Sequence, residues 1–296
     1  MKKFLKTKKF KLIFALWLLL FAYIIGSVFM LYITTVNANR RLPDLTPRTV
    51  GLAYEDISFV SRARDHINLA GWWIPRQGSD KVLILLHVKN GDRTFPLSLC
   101  KPLWDNGYNL LLFDLRGHGL SGGSFYTYGF QEQYDVLGAV DFLKAKGFQG
   151  KSTGVLGWSM GAATAIMAMS RTPDIQAGIS DSAYGDLTRV VKGRLGGLGF
   201  FYPGLTLSAR LFEGIDIDRV KPEDSIKKLG NRHLLLIHGA QDTTVPVSEV
   251  YHLQEAGGAN VTETWVLPGV GHGMAFVAQP AEYVRKVVTF FNRELS

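Results

Sequence analysis

The sequence predicts an α/β fold: a mostly parallel eight-stranded sheet with helices on both faces and a small cap, preceded by one transmembrane helix. Three observations predict it. From Glu55 onward, short apolar runs alternate with helix-period stretches, the pattern of a parallel sheet covered on both faces. This rhythm breaks once, over residues 185–220, into an apolar, aromatic and glycine-rich interlude that reads as a cap. Leu12 to Ile33 runs 22 residues without a charge, long enough to span a bilayer.

Residues 1–11 form a basic tail with six lysines, against only Arg40, Arg41 and Arg48 soon after the span, so the positive-inside rule places the N-terminus in the cytoplasm and the rest outside. A cleavable signal peptide has an apolar core of about 7–15 residues, so the span 12–33 reads as a retained signal anchor. Val36-Asn37-Ala38 also resembles a small-residue cleavage site, which leaves removal after Ala38 open. Residues 34–54, with two prolines, read as a linker to a domain over 55–296. The net charge of +8 comes from 33 basic and 25 acidic residues; without the tail lysines 27 stand against 25, so no nucleic-acid partner is implied. Cys100 is the only cysteine, which excludes an intrachain disulfide and any cysteine-cluster zinc site.

The strand-like runs fall at 57–61, 69–75, 82–87, 109–113, 153–158, 176–181, 233–238 and 262–267. The first two flank a polar turn at 62–66 and predict an antiparallel hairpin at the sheet edge. Helices are predicted over 95–106, 130–146, 160–171, 247–257 and 280–293. Residues 185–220 are either a cap or an insertion that only covers the sheet. As a cap, they offer Phe200, Phe201 and Leu205 to bind an apolar acyl or alkyl group.

Gly157-Trp158-Ser159-Met160-Gly161 lies between the fifth strand and a helix of small residues. A strand that turns abruptly into a helix crowds its corner residue, so glycines must flank the serine while its hydroxyl projects outward. The helix N-terminus there favours negative charge, and the Met160 N–H is placed to hold an oxyanion. A serine hydroxyl becomes a nucleophile only when a base takes its proton and a carboxylate orients that base. Asp242 lies in the turn after the seventh strand and His272 in a glycine-rich loop after the eighth, giving the chain order Ser159, Asp242, His272. Asp181, after the sixth strand, is the alternative acid. Gly117 to Gly122 matches G-x-G-x-x-G but does not open a helix, so Asp114 and Arg116 read as loop-ordering residues rather than part of a nucleotide site.

Together, VLILLHV (82–88), LLFDLRGHGLSGG (111–123), GVLGWSMGAA (154–163), LLLIHGAQDTTVP (234–246) and LPGVGHG (267–273) resemble the successive signature loops of α/β-hydrolases over residues 55–295. The chain is most similar in pattern to membrane-anchored bacterial esterase-like hydrolases of the serine aminopeptidase/BAAT-like group. That resemblance implies an α/β-hydrolase fold and esterase or related acyl-hydrolase chemistry, with no metal or organic cofactor. One departure stands out. The family has glycine after the histidine of the third strand, and here His87 is followed by Val88. Valine resists positive φ, so the second oxyanion donor is expected from the Val88 or Lys89 N–H along a different loop path.

The sequence therefore points to a membrane-anchored serine hydrolase acting on a small-molecule or lipid-like acyl ester. A peptidase or acyltransferase on the same three residues remains open, as does a weakened, hydrolase-like binding module. A prolyl-oligopeptidase-type peptidase is disfavoured because its gating domain would not fit in 296 residues.

Overall fold

The computed structural model describes residues 2–37, 40 and 45–296, with side chains from Lys8 onward. Arg41, the cleavage motif at Ala38 and part of the linker lie outside the described residues. One eight-stranded sheet organises the chain, in the order β1-β2-β4-β3-β5-β6-β7-β8. Its strands are β1 (Glu55–Val60), β2 (Asn68–Ile74), β3 (Val82–Leu86), β4 (Asn109–Phe113), β5 (Thr153–Trp158), β6 (Ala177–Asp181), β7 (His233–Gly239) and β8 (Val261–Leu267). The β1/β2 hairpin is antiparallel, as its polar turn predicts, and β2 also pairs antiparallel to β4. All other neighbours are parallel.

Each central strand is apolar on both sides because both faces are covered. Val82, Ile84 and Leu86 of β3 enter one core while Leu83 and Leu85 enter the other, the period-two alternation of a pleated strand. The first core is closed by α3 (Glu132–Ala145), α4 (Met160–Met169) and α8 (Ser248–Gly257). The second is closed by α2 (Leu97–Asp105) and α10 (Pro280–Glu294), through Cys100, Leu103, Tyr283, Val287 and Phe291. Leu52, within the expected linker, is buried in that second core.

The chain runs from β3 outward to β4, then crosses back to β5 on the other side of β3. The loops leaving β3 and β5 therefore diverge and open a crevice at their carboxyl ends, where open α/β sheets bind ligands.

The cap consists of α5 (Leu187–Leu195), a 3-10 segment at Gly196–Phe201, α6 (Tyr202–Ser208) and a π turn at Ala209–Glu213, with α7 (Pro222–Ile226) leading back to the sheet. It packs against the N-terminal helix α1 (Lys2–Thr35), which is continuous through the expected tail and span. From residue 8 to residue 22 α1 is exposed all round. Beyond that, Tyr23, Gly26, Ser27, Met30, Leu31, Thr34 and Thr35 form a covered stripe at helical spacing. The small residues let the backbones approach closely: a Cβ on Gly26 would lie 2.9 Å from the Phe201 ring, and one on Gly204 would lie 2.2 Å from the Ser27 hydroxyl. Tyr23 stacks on Phe201 at 5.4 Å, donates to the Phe200 carbonyl at 3.0 Å and accepts from the Gly204 N–H at 2.9 Å.

Helix α3 touches β1 through Gly138, where an added Cβ would fall 2.3 Å from the Val60 carbonyl oxygen. Gly138→Ala is predicted to destabilise the fold by about 1–3 kcal/mol through overpacking. Gly193→Ala, in an exposed stretch of α5 with no atom within 4 Å of the new Cβ, is predicted to stabilise it by up to about 1 kcal/mol. Thermal melts of the two variants in one detergent check the opposite signs.

Candidate active site

The turn from β5 into α4 is made by Ser159 itself, at φ 52° and ψ −115°. Sterics fix its neighbours. A Cβ on Gly157 would lie 2.3 Å from the Gly161 carbonyl oxygen, and one on Gly161 would lie 2.5 Å from the Leu86 carbonyl oxygen and 2.6 Å from that of His87. The Ser159 N–H is held by the Asp181 carbonyl at 2.8 Å.

The structure brings Ser159, His272 and Asp242 into one hydrogen-bonded line. His272 Nε2 lies 2.8 Å from Ser159 Oγ, and His272 Nδ1 lies 2.6 Å from Asp242 Oδ2. An ionised carboxylate only accepts, so the proton sits on Nδ1 and Nε2 is left to accept from the serine hydroxyl. The His272 loop passes tightly over the end of β7: a Cβ on Gly239 would lie 2.3 Å from the Val270 carbonyl oxygen. Asp242 Oδ1 accepts from the N–H groups of Thr244 at 2.7 Å and Val245 at 2.8 Å. Beneath it, buried His238 puts Nε2 3.2 Å from Oδ2 and 3.0 Å from the Val245 carbonyl oxygen. Burial alone would raise the Asp242 pKa. Hydrogen bonds from His238, His272 and the Val245 N–H outweigh it and hold the carboxyl well below the usual carboxylate range.

Asp181 is not in this line. It is fully buried, and burial pushes its carboxyl up to about 6 against hydrogen bonds from Ser182 and Tyr283. Its task is indirect: Ser182 Oγ donates to Asp181 Oδ1 at 2.8 Å and accepts the Gly273 N–H at 3.0 Å, tying down the residue after His272.

The loop after β3 resolves the valine problem. Its positive φ falls on Asn90, at 58°, a residue that tolerates the left-handed region far better than valine. His87 and His118 are both buried, which lowers both pKa values, to about 3 for His118, so both rings are neutral. They knit this loop to the one after β4. His87 Nε2 accepts the Leu115 N–H at 3.0 Å, and His118 Nε2 accepts the Asn90 N–H at 3.1 Å. A buried Arg93–Asp114 ion pair at 2.8 Å closes the same seam. The Val88 carbonyl faces His87 Nδ1 at 2.7 Å and the Gly91 N–H at 3.1 Å, which turns the Lys89 N–H of that planar peptide the opposite way. Met160 opens α4, so its N–H has no intrahelical acceptor.

Val88, Lys89, Ser159, Met160 and His272 all line one cavity of about 300 Å³, whose remaining wall is largely apolar. Of the three cap residues expected there, none lines it. Phe200 and Phe201 face α1 instead, since their rings fill the close contact made by Tyr23 and Gly26. Leu205 is buried in the wall of a second cavity. The residues that do enter from this part of the chain are Tyr184, Leu187, Val190 and Arg194. No local motif marks them, and their one sequence signal is that they follow the sixth strand directly.

The sheet order and the serine turn are those of an α/β-hydrolase. Residues 95–296 match the prolyl oligopeptidase family, and the chain belongs to that family. The matched segment lies wholly in the α/β part. The esterase Pf2001 of Pyrococcus furiosus is 31% identical, with a TM-score of 0.73 over 88% of this chain and 99% of that one. An acylaminoacyl peptidase of Pyrococcus horikoshii shares the fold at 19% identity and a TM-score of 0.62, over 82% of this chain and 42% of its own. The uncharacterized protein YqkD of Bacillus subtilis (strain 168) is 25% identical over 245 residues, 80% of each chain.

If Ser182 steadies the histidine loop, Ser182→Ala deprives the Gly273 N–H of its acceptor. Losing a hydrogen bond of about 1 kcal/mol should speed amide exchange at Gly273 roughly fivefold. Hydrogen–deuterium exchange of both proteins checks this, with unchanged protection at Gly273 as the contrary result.

Proposed function

We propose that the protein is a serine carboxylesterase, held at the membrane by α1 with its tail cytoplasmic and its domain extracytoplasmic. The observation that carries the reading is the line Asp242–His272–Ser159, with bonds of 2.6 and 2.8 Å, ending at an apolar cavity. Ser159 Oγ attacks the ester carbonyl as His272 Nε2 takes its proton. Asp242 stabilises the imidazolium, which then returns the proton to the leaving alcohol. The tetrahedral oxygen is held by the N–H of Met160 and that of Val88 or Lys89, and the orientation of the Val88 carbonyl favours Lys89. A well-placed oxyanion donor contributes about 10²–10³-fold in kcat. Water, activated by His272, then releases the acid from the acyl-serine.

Two observations favour esters over peptides. Similarity at 31% identity to a protein described as an esterase is one. The other is the cavity wall, where no described residue carries a carboxylate that could hold a peptide's N-terminal ammonium. Lys89 and Arg194 are its charged members.

Turnover of p-nitrophenyl butyrate tests the roles. Ser159→Ala should abolish it, and Asp242→Asn should lower kcat by up to about 10⁴-fold, the size of losing a triad carboxylate. Asp181→Asn should cost less than tenfold, because its hydrogen bonds reach His272 only through Ser182 and Gly273. Full activity in Ser159→Ala would remove the nucleophile, and a larger loss at Asp181 than at Asp242 would move the acid.

A further inference from the structure

A second cavity, of about 220 Å³ and almost wholly apolar, lies beside the first. Lys89, Tyr128, Leu187, Val190 and Arg194 line both, so the two are separated by one layer of side chains. Its far wall is the N-terminal helix: Met30, Leu31, Thr34 and Thr35 face Val191, Leu205 and Ile215 of the cap across it. A segment that only tethered the domain would have no reason to line a cavity next to the reactive serine.

The length of α1 says where that cavity sits. The uncharged, fully exposed part, from Leu12 to Ala22, covers roughly 16 Å at 1.5 Å per residue, whereas a hydrocarbon core is about 30 Å thick. Beginning at Phe10, with the neighbouring lysines reaching back to the headgroups, adds only about 3 Å. Tilting the helix widens the shortfall. If α1 spans the bilayer, the turns from Tyr23 to about Leu31 must also lie in hydrocarbon, and those turns carry the cap. The cap's surface fits that depth. Leu198, Phe200, Leu207, Leu211 and Phe212 of the cap are each more than half exposed, and so are Ile25 and Phe29 of α1, the helix on which the cap packs. So many large exposed apolar side chains on one small cap mark a contact with membrane or protein.

We infer that the cap and the C-terminal half of α1 are sunk together in the outer leaflet and form an acyl-chain site that opens to the bilayer, so that the substrate is a long-chain acyl ester of a membrane lipid. This rests on reading α1 as a span and Ser159 as the nucleophile. The carbonyl lies at Ser159 and the acyl tail passes between Tyr128, Leu187 and Val190 into the cavity walled by α1. Each methylene buried there raises kcat/KM by up to roughly fourfold until the cavity is full.

The test uses the full chain in lipid nanodiscs, with rates normalised to the fraction of protein labelled by a small fluorophosphonate. The ratio of kcat/KM for p-nitrophenyl laurate to that for p-nitrophenyl butyrate should exceed ten. Met30→Trp and Val191→Trp, which fill the second cavity from opposite walls, should each cut that ratio by tenfold or more. A ratio at or below one, or a ratio unmoved by both variants, would overturn the acyl site. Depth is read separately from a spin label on Phe212→Cys, since native Cys100 is buried. Greater accessibility to oxygen than to an aqueous nickel complex is expected. Aqueous exposure, or disulfide cross-linking of two copies through that position, would overturn immersion of the cap. Ester turnover that survives Ser159→Ala would defeat the catalytic reading alone and leave the depth result standing.

Discussion

The conformation of Ser159 is the constraint on which the site depends. A non-glycine residue at φ 52° and ψ −115° is strained by about 1–3 kcal/mol, and such strain persists only where the surroundings over-determine it. Here they do. β5 is buried between β3 and β6, α4 is packed against the sheet, and the serine N–H is fixed to the Asp181 carbonyl at 2.8 Å. Gly157 and Gly161 are required because backbone oxygens lie within 2.3–2.6 Å of where their Cβ atoms would be. The strain presents Ser159 to the cavity at the N-terminus of α4.

Around that fixed point the partners are held by loops stiffened with buried polar groups. Two neutral histidines, His87 and His118, and the Arg93–Asp114 pair join the loops after β3 and β4, while Asp181 and Ser182 anchor the loop that carries His272. A buried ion pair adds little net stability on its own, because desolvation cancels much of its attraction. Its effect here is geometric: these bonds tie the loops that line the cavity around Ser159 to one another and to the rigid sheet. The low pKa of Asp242 follows the same logic, since its two oxygens receive four donors between them.

Much of this was legible in the sequence because it is local. Short apolar runs mark all eight strands, and Ser159, Asp242 and His272 each follow a strand end with a glycine-rich or turn-forming neighbourhood. What the sequence hid is set by pairing across distance. Arg93 and Asp114 are 21 residues apart with no pattern linking them. The different loop path expected after His87 places its left-handed residue at Asn90, which no local pattern marks. Apolar composition of the cap could not say which face each ring presents, and Phe200 and Phe201 turned toward α1 rather than Ser159. The signal for that contact lay in Gly26 and Ser27, two small residues inside an otherwise bulky span, which mark a close helix approach.

The helix that topology treats as an anchor is thus structurally part of the domain, covered by the cap along one stripe and continuous with the wall of an apolar cavity. The acyl site proposed beside it presupposes that Ser159 is an activated nucleophile. The most direct measurement is peptide mapping by mass spectrometry after reaction of the full chain with a fluorophosphonate. The account predicts one stoichiometric adduct, on Ser159, whose rate of formation collapses in His272→Ala. An adduct on another serine, such as Ser182, or no adduct on folded protein, would contradict it.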